Sequence, residues 1–201
     1  MKLYYSPGAC SLASHILLRE TGAAFALERV DTGAHRTEAG VDYYAINPKG
    51  QVPLLELADG QRLSEGPIIG PYLSELAAAD VLLPRAGLAR YRVLEWQNYV
   101  ATELHKSFTP LFRNDLDEAA KAPLRAGLRR RFEWLESRLD GDYLTGAAFT
   151  VADAYLFAVA RWAPHVALEL GDLPRLQAYL HRVAQRPAVI ASLRAEGLLA
   201  A

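Results

Sequence analysis

The sequence predicts an α/β domain at residues 1–80 followed by an all-helical domain at residues 87–201, and three observations carry that prediction. The first eighty residues alternate strand and helix signals. Val81 to Ala86 holds a proline and no strong periodicity, as a linker does. Everything after it repeats its apolar residues at helical spacing.

Lys2 to Tyr5 is a short run of β-formers ended by Ser6-Pro7-Gly8, which breaks either regular structure. Ser11 is placed to cap a helix carrying Leu12, Ile16 and Leu17 on one face, with Gly22 as its stop. Ala24 to Val30 reads as a second strand and Val41 to Ile46, from a mixed pattern, as a short helix. Val52 to Leu57 is a third strand, Asp59-Gly60 a two-residue hairpin turn, and Arg62 to Ser64 a fourth strand. Glu65-Gly66-Pro67 then opens a helix, with Pro67 where a missing N–H does no harm. The order β-α-β-α-β-β-α joins a parallel unit to an antiparallel hairpin, which is the thioredoxin-like arrangement.

Beyond the linker, Leu88, Tyr91 and Leu94 begin a helix expected to run past Lys106 until Pro110 disturbs it. Leu124, Leu128, Phe132, Leu135 and Leu139 form a second apolar stripe. Thr150 with Asp153 three residues on resembles a capping box opening a third helix, which Pro164 ends. Two shorter helices, near Leu173 to Gln185 and Pro187 to Glu196, finish the chain.

Composition narrows the function. With 51% hydrophobic and 22% charged residues the chain is globular rather than disordered. A net charge of −1 gives no electrostatic reason to expect nucleic acid or an anionic membrane, and Arg129-Arg130-Arg131 falls on a helix as a solvated face. A single cysteine makes no internal disulfide and no thiolate zinc site, and the other histidines (His15, His35, His165, His181) have no metal-ligand spacing. No apolar run approaches the ~20 residues of a membrane helix, and the opening is too polar for a signal peptide. A cytoplasmic protein is expected. Gly-rich nucleotide loops and a Gly-x-Ser-x-Gly elbow are missing, so a nucleotide cofactor or serine nucleophile is not expected.

Four features carry chemistry. Cys10 stands between a Pro-Gly turn and a helix start, where the helix dipole favours a thiolate and a partly ionised thiol is expected; a buried, inert filler is the alternative. Val52-Pro53 is an edge-strand proline or, with a cis bond, a place where Val52 turns its backbone groups outward to pair an extended peptide. At Ser64-Glu65-Gly66, backbone N–H groups suit a ligand carboxylate and the Glu65 carboxylate suits an ammonium; a glutamate that simply serves the helix dipole is the alternative. Asn98, Thr102 and His105 fall at i, i+4 and i+7 on the long helix, with Glu103 and Lys106 beside them. That stripe is either a solvated face or the wall of a cleft.

Together these segments resemble the bacterial beta-class glutathione transferases. Lys2-Leu3-Tyr4-Tyr5-Ser6-Pro7-Gly8-Ala9-Cys10-Ser11-Leu12 looks like their opening, and Asn47-Pro48-Lys49-Gly50-Gln51-Val52-Pro53 like their glutathione-backbone segment. Ser64-Glu65-Gly66, Glu103-Leu104-His105-Lys106 and Phe149 to Phe157 complete a likeness that covers essentially the whole chain in order. The resemblance implies the glutathione transferase architecture, glutathione as co-substrate without a metal, a hydrophobic electrophile as second substrate, and a homodimer. It implies that Cys10 and His105 are catalytic, both approaching the glutathione sulfur. Ala9, His35, Val52, Pro53, Glu65, Gly66, Asn98, Thr102, Glu103 and Lys106 would then surround glutathione. Two departures stand out. His35 replaces a basic residue common in the family, and Gly70-Pro71 lies inside the helix after Glu65, where a kink or late start is expected. Thiol–disulfide exchange through Cys10 and reductive dehalogenation use related chemistry, and a non-enzymatic thioredoxin-like binding module is the alternative of a different class.

Overall fold

A computed structural model describes residues 1–199. Its first half is a five-stranded sheet in the order β3-β2-β1-β4-β5, built from β1 (Lys2–Tyr5), β2 (Ala26–Asp31), β3 (Arg36–Thr37), β4 (Leu54–Glu56) and β5 (Arg62–Ser64). β1 pairs parallel with β2 and antiparallel with β4, while β4–β5 and β2–β3 are antiparallel. Period-two alternation sends Leu3 and Leu55 to one face, against Leu12 and Ile16 of α1 (Ser11–Glu20) and Ile69 and Leu73 of α3 (Gly66–Leu76). Tyr4, Val30 and Leu54 face the other way, onto Tyr43 of α2 (Tyr43–Ile46).

Several local expectations need correction. The two-residue strand β3 is too short to leave a period-two signal, so the sheet has a fifth strand. The hairpin turn holds three residues, because Leu57 N–H bonds Gln61 C=O outside Ala58-Asp59-Gly60. Ser11 is not the cap of α1: Cys10 holds that position, and the Ser11 hydroxyl turns back to the Ser6 peptide instead. α3 starts on time and runs unbroken through Pro71, at the loss of one backbone bond to Pro67 C=O. The segment expected as a linker is pinned, with Leu82 and Leu83 buried and Leu82 C=O accepting from Val151 N–H.

The second half is helical. α4 (Gly87–Tyr99) passes into a π-helical stretch at Val100–His105, a single α-turn α5 (Lys106–Phe108) and a 3₁₀ turn at Thr109–Phe112. α6 (Glu118–Arg138), α7 (Val151–Ala160), α8 (Pro174–Ala184) and α9 (Pro187–Ala195) follow. Every residue of α7 is buried, and the helix packs on α1, α3 and α4, so it is the spine joining the two halves. Its capping box is present: Asp153 accepts from Thr150 N–H and Oγ1, from Leu144 N–H and from the Tyr179 hydroxyl. The arginine run on α6 is not simply solvated, since Arg129 pairs with Asp172 and Glu133, and Arg131 with Glu103. Among the described residues no helix is long and apolar enough to cross a membrane.

Candidate active site

A cleft of about 400 Å³ opens where the sheet's β1–α1 and β4–β5 ends meet the helical half. One wall carries Cys10, His35, Val52, Pro53, Glu65 and Gly66; the other carries His105, Lys106 and Tyr155. These nine residues come from six separate segments of the chain.

The first wall is made largely of backbone. The Val52–Pro53 bond is cis, and Val52 C=O accepts the Cys10 thiol proton at 3.3 Å. Among the described residues Val52 N–H meets no hydrogen-bond acceptor. The loop before it is braced from beneath, as the Tyr43 hydroxyl and the Asn47 amide both donate to Gln51 C=O. Glu65 caps α3 at φ +71°, a left-handed conformation that a non-glycine residue adopts at a cost of order 1 kcal/mol. Its carboxylate bonds Lys49 Nζ at 2.7 Å, and Lys49 also reaches Ser64 Oγ at 3.0 Å. Both partners of that pair are more than half exposed, so it is a weak bond that an incoming ammonium can replace. His35 (φ +52°) lies against the Tyr44 ring with its Nε2 3.1 Å from that hydroxyl, while its buried Nδ1 has no partner. Gly50 makes that pair possible: a Cβ there would stand 2.6 Å from the Tyr44 ring.

Cys10 departs from the expectation of a partly ionised thiol. Burial outweighs the stabilising N–H groups of Cys10 and Ser11 and pushes the thiol up to about 11, with Lys106 lowering it and Glu65 raising it further. The thiol is a protonated donor to Val52 C=O, not a standing thiolate.

The second wall is made of side chains. His105 Nδ1 sits 2.6 Å from the Tyr155 hydroxyl, and the imidazole packs edge-on against Tyr155 and, at 4.8 Å, Trp162. Burial, reinforced by Lys106 and opposed by Glu65, pulls His105 down to about 4, so it is neutral at neutral pH. Burial raises the Tyr155 phenol well above its ordinary range, so it keeps its proton. A protonated phenol donates to Nδ1, and the neutral ring then carries its own proton on Nε2.

The structure does not bring Asn98, Thr102, Glu103 or Ala9 into the cleft lining. The π-helical stretch is the reason for the first two: with i→i+5 bonding, Ala101 shares the His105 face, and the i, i+4, i+7 stripe of a uniform α-helix is broken; Glu103, two residues before His105, faces the far side in either helix. Asn98 and Thr102 are exposed, with Thr102 Oγ1 bonded to Asn98 C=O, and Glu103 turns to Arg131. Ala9 spends its peptide groups closing the turn before α1. Tyr155 and Lys49 were not singled out from the sequence. A tyrosine on the apolar run that follows Asp153 in α7 is the signal that points to the first, because a buried phenol needs a partner. Among the described residues no group of His, Cys, Asp and Glu is placed to hold a metal ion.

Comparisons with known proteins agree with this geometry. Family models described as the N-terminal and C-terminal domains of glutathione S-transferase match residues 8–76 and 99–187. The glutathione S-transferase GstA of Escherichia coli O157:H7 is 50% identical over 200 residues, covering 98% of this chain and all of the relative. A bacterial beta-class glutathione S-transferase of Sphingomonas chungbukensis matches at TM-score 0.94 and 43% identity, over 99% of this chain and all of that one. A sphingomonad glutathione S-transferase complexed with glutathione matches with the same TM-score, identity and coverage. With both family models matching in order and a relative half identical end to end, this chain belongs to the glutathione S-transferase family, in its bacterial beta class.

Proposed function

We propose that this protein joins glutathione to an electrophilic carbon of apolar small molecules, with residues 1–80 holding glutathione and residues 87–201 walling the electrophile. The observation that carries the reading is the convergence of Cys10, Val52, Glu65 and His105 on one cleft from four separate segments. Val52, with a free N–H beside the Cys10 thiol, suits the backbone of a cysteinyl residue. Glu65 and the Gly66 N–H suit an α-ammonium and α-carboxylate on one carbon, the γ-glutamyl end. His35, in the same cleft lining, is the residue this reading leaves for the other end of the peptide.

Catalysis in this reading is positioning and donation. The neutral His105 is too weak a base to hold a proton at neutral pH but serves as an Nε2–H donor to the glutathione sulfur as it becomes a thiolate. The Cys10 S–H, once turned from Val52 C=O, is a second donor. The glutathione thiol proton passes to solvent water, the thiolate pair forms the new S–C bond, and the leaving group, a halide in an aryl halide, departs with the bonding electrons. The raised thiol favours this conjugation over disulfide exchange started by Cys10, which needs Cys10 as thiolate.

A homodimer in the cytoplasm completes the reading. Support for the dimer comes from Ile68 and Leu76 on α3 and Leu88 and Tyr91 on α4, large apolar side chains all exposed. The test is turnover of an aryl halide with glutathione, together with retention on immobilised glutathione and elution as a dimer. Conjugation that survives Cys10→Ser supports the assignment of the attacking sulfur to glutathione. No turnover with retention intact would favour the binding-module alternative.

A further inference from the structure

Gly8 lies two residues before Cys10, at φ +72°. Neither of its peptide groups is bound by the half of the molecule that carries it. Glu196 Oε2 accepts from Gly8 N–H at 2.9 Å, across 188 residues of sequence. Trp162 Nε1–H donates to Gly8 C=O at 2.8 Å. Leu198 lies over the same glycine, its methyls 3.6 and 3.8 Å from the place a Cβ would take.

The Glu196 side chain is fully buried and its second oxygen meets His15 Nδ1 at 2.9 Å. Arg19 Nε lies 3.1 Å from His15 Nε2. A guanidinium only donates, so Nε2 holds the lone pair and Nδ1 the proton. His15 is therefore the neutral Nδ1–H tautomer, and the series Arg19 to His15 to Glu196, met by Gly8 N–H, has every donor facing an acceptor. A buried carboxylate satisfied in this way holds its partners firmly, because releasing either leaves it short of a bond in a dry place. Trp162 is shared between the walls: its N–H fixes the Cys10 loop and its ring packs on His105.

We infer that Glu196 and Trp162 are positioning residues that clamp the Gly8 peptide from both sides, so that the last residues of the chain set the seat and accessibility of Cys10. The inference rests on reading Cys10 as a cleft thiol, but its test needs neither glutathione nor turnover, so either can fail alone.

Cys10 is the one cysteine, so its alkylation by iodoacetamide reports on that loop without interference. Trp162→Phe keeps an aromatic ring and removes the donor; Glu196→Gln keeps the volume and turns an amine towards one of two donors. Thr150→Ala, which loosens the capping box far from Gly8, is the stability control. Near neutral pH and under native conditions, Trp162→Phe and Glu196→Gln are each expected to be alkylated about tenfold faster, as a freed thiol regains water and an ordinary ionisation. Thr150→Ala should keep the wild-type rate, and the double variant should depart from the product of the two singles. Wild-type rates in both clamp variants, or equal acceleration in Thr150→Ala, would overturn the proposal. Should Glu196→Gln fail to fold, Trp162→Phe against Thr150→Ala decides it.

Discussion

The two walls of the cleft are built in different ways. The Cys10–Val52–Glu65 wall presents backbone, held by turns whose glycines and prolines are local to the groups they aim. The His105–Tyr155 wall presents side chains, backed by Trp162 and aimed by packing between helices fifty residues apart. A backbone wall recognises the invariant part of a peptide and tolerates change in its side chains. A side-chain wall tunes electronics and shape, and a single substitution alters it.

That contrast predicts where mutations act. The largest effect belongs to the carboxylate of the backbone wall: Glu65→Ala should raise the KM for glutathione by roughly 10- to 100-fold, about 1.5–3 kcal/mol for a charged hydrogen bond. Its kcat should change little, since the γ-glutamyl end is remote from the sulfur. A KM unchanged in steady-state kinetics would place ammonium recognition elsewhere. On the other wall the split reverses. His105→Ala should lower kcat with the melting temperature nearly unchanged. Tyr155→Phe, which removes only the partner of Nδ1, should lower kcat by about fivefold, near 1 kcal/mol for one neutral hydrogen bond, with KM held. Equal KM and kcat effects from both walls would erase the distinction.

The smallest effect is one of pH. The unfolded chain protonates His105 near 6.5 and the folded chain only near 4, so between these values the unfolded state holds more protons. Stability from this group is complete above 6.5 and declines as the pH falls towards 4. Denaturant titrations of the native protein and His105→Ala should therefore agree near neutral pH and separate on acidification, with the native protein losing the more stability. Parallel curves would show that His105 is not buried neutral.

The same contrast explains what was legible in the sequence. Ser6-Pro7-Gly8, Val52-Pro53 and Glu65-Gly66-Pro67 announce their geometry within three residues, so the first wall and the sheet around it could be read almost entire. Arg36–Thr37 escaped because two residues carry no period. The helical wall is illegible where it departs from a uniform 3.6-residue period: His105 lines the cleft, but the π-helical stretch carries Asn98 and Thr102 off its face. Tyr155, buried in a helix with no polar face, and Glu196, at the opposite end of the chain from the loop it grips, are tertiary facts that local patterns do not encode. The thiol of Cys10 was misjudged for a related reason. Its helix start is a local feature, but the burial that outweighs the dipole is made by the folded chain as a whole.

The claim common to both walls is that they meet at a single sulfur, that of glutathione, with His105 as donor to its thiolate. Cys10→Ser leaves the chain without a thiol of its own, so the ultraviolet thiolate absorbance of its glutathione complex titrates glutathione alone. In that background the bound thiol should ionise below its free value, and adding His105→Ala should raise it by about one pH unit, the equivalent of 1.4 kcal/mol. The same titration midpoint with and without His105 would contradict the account.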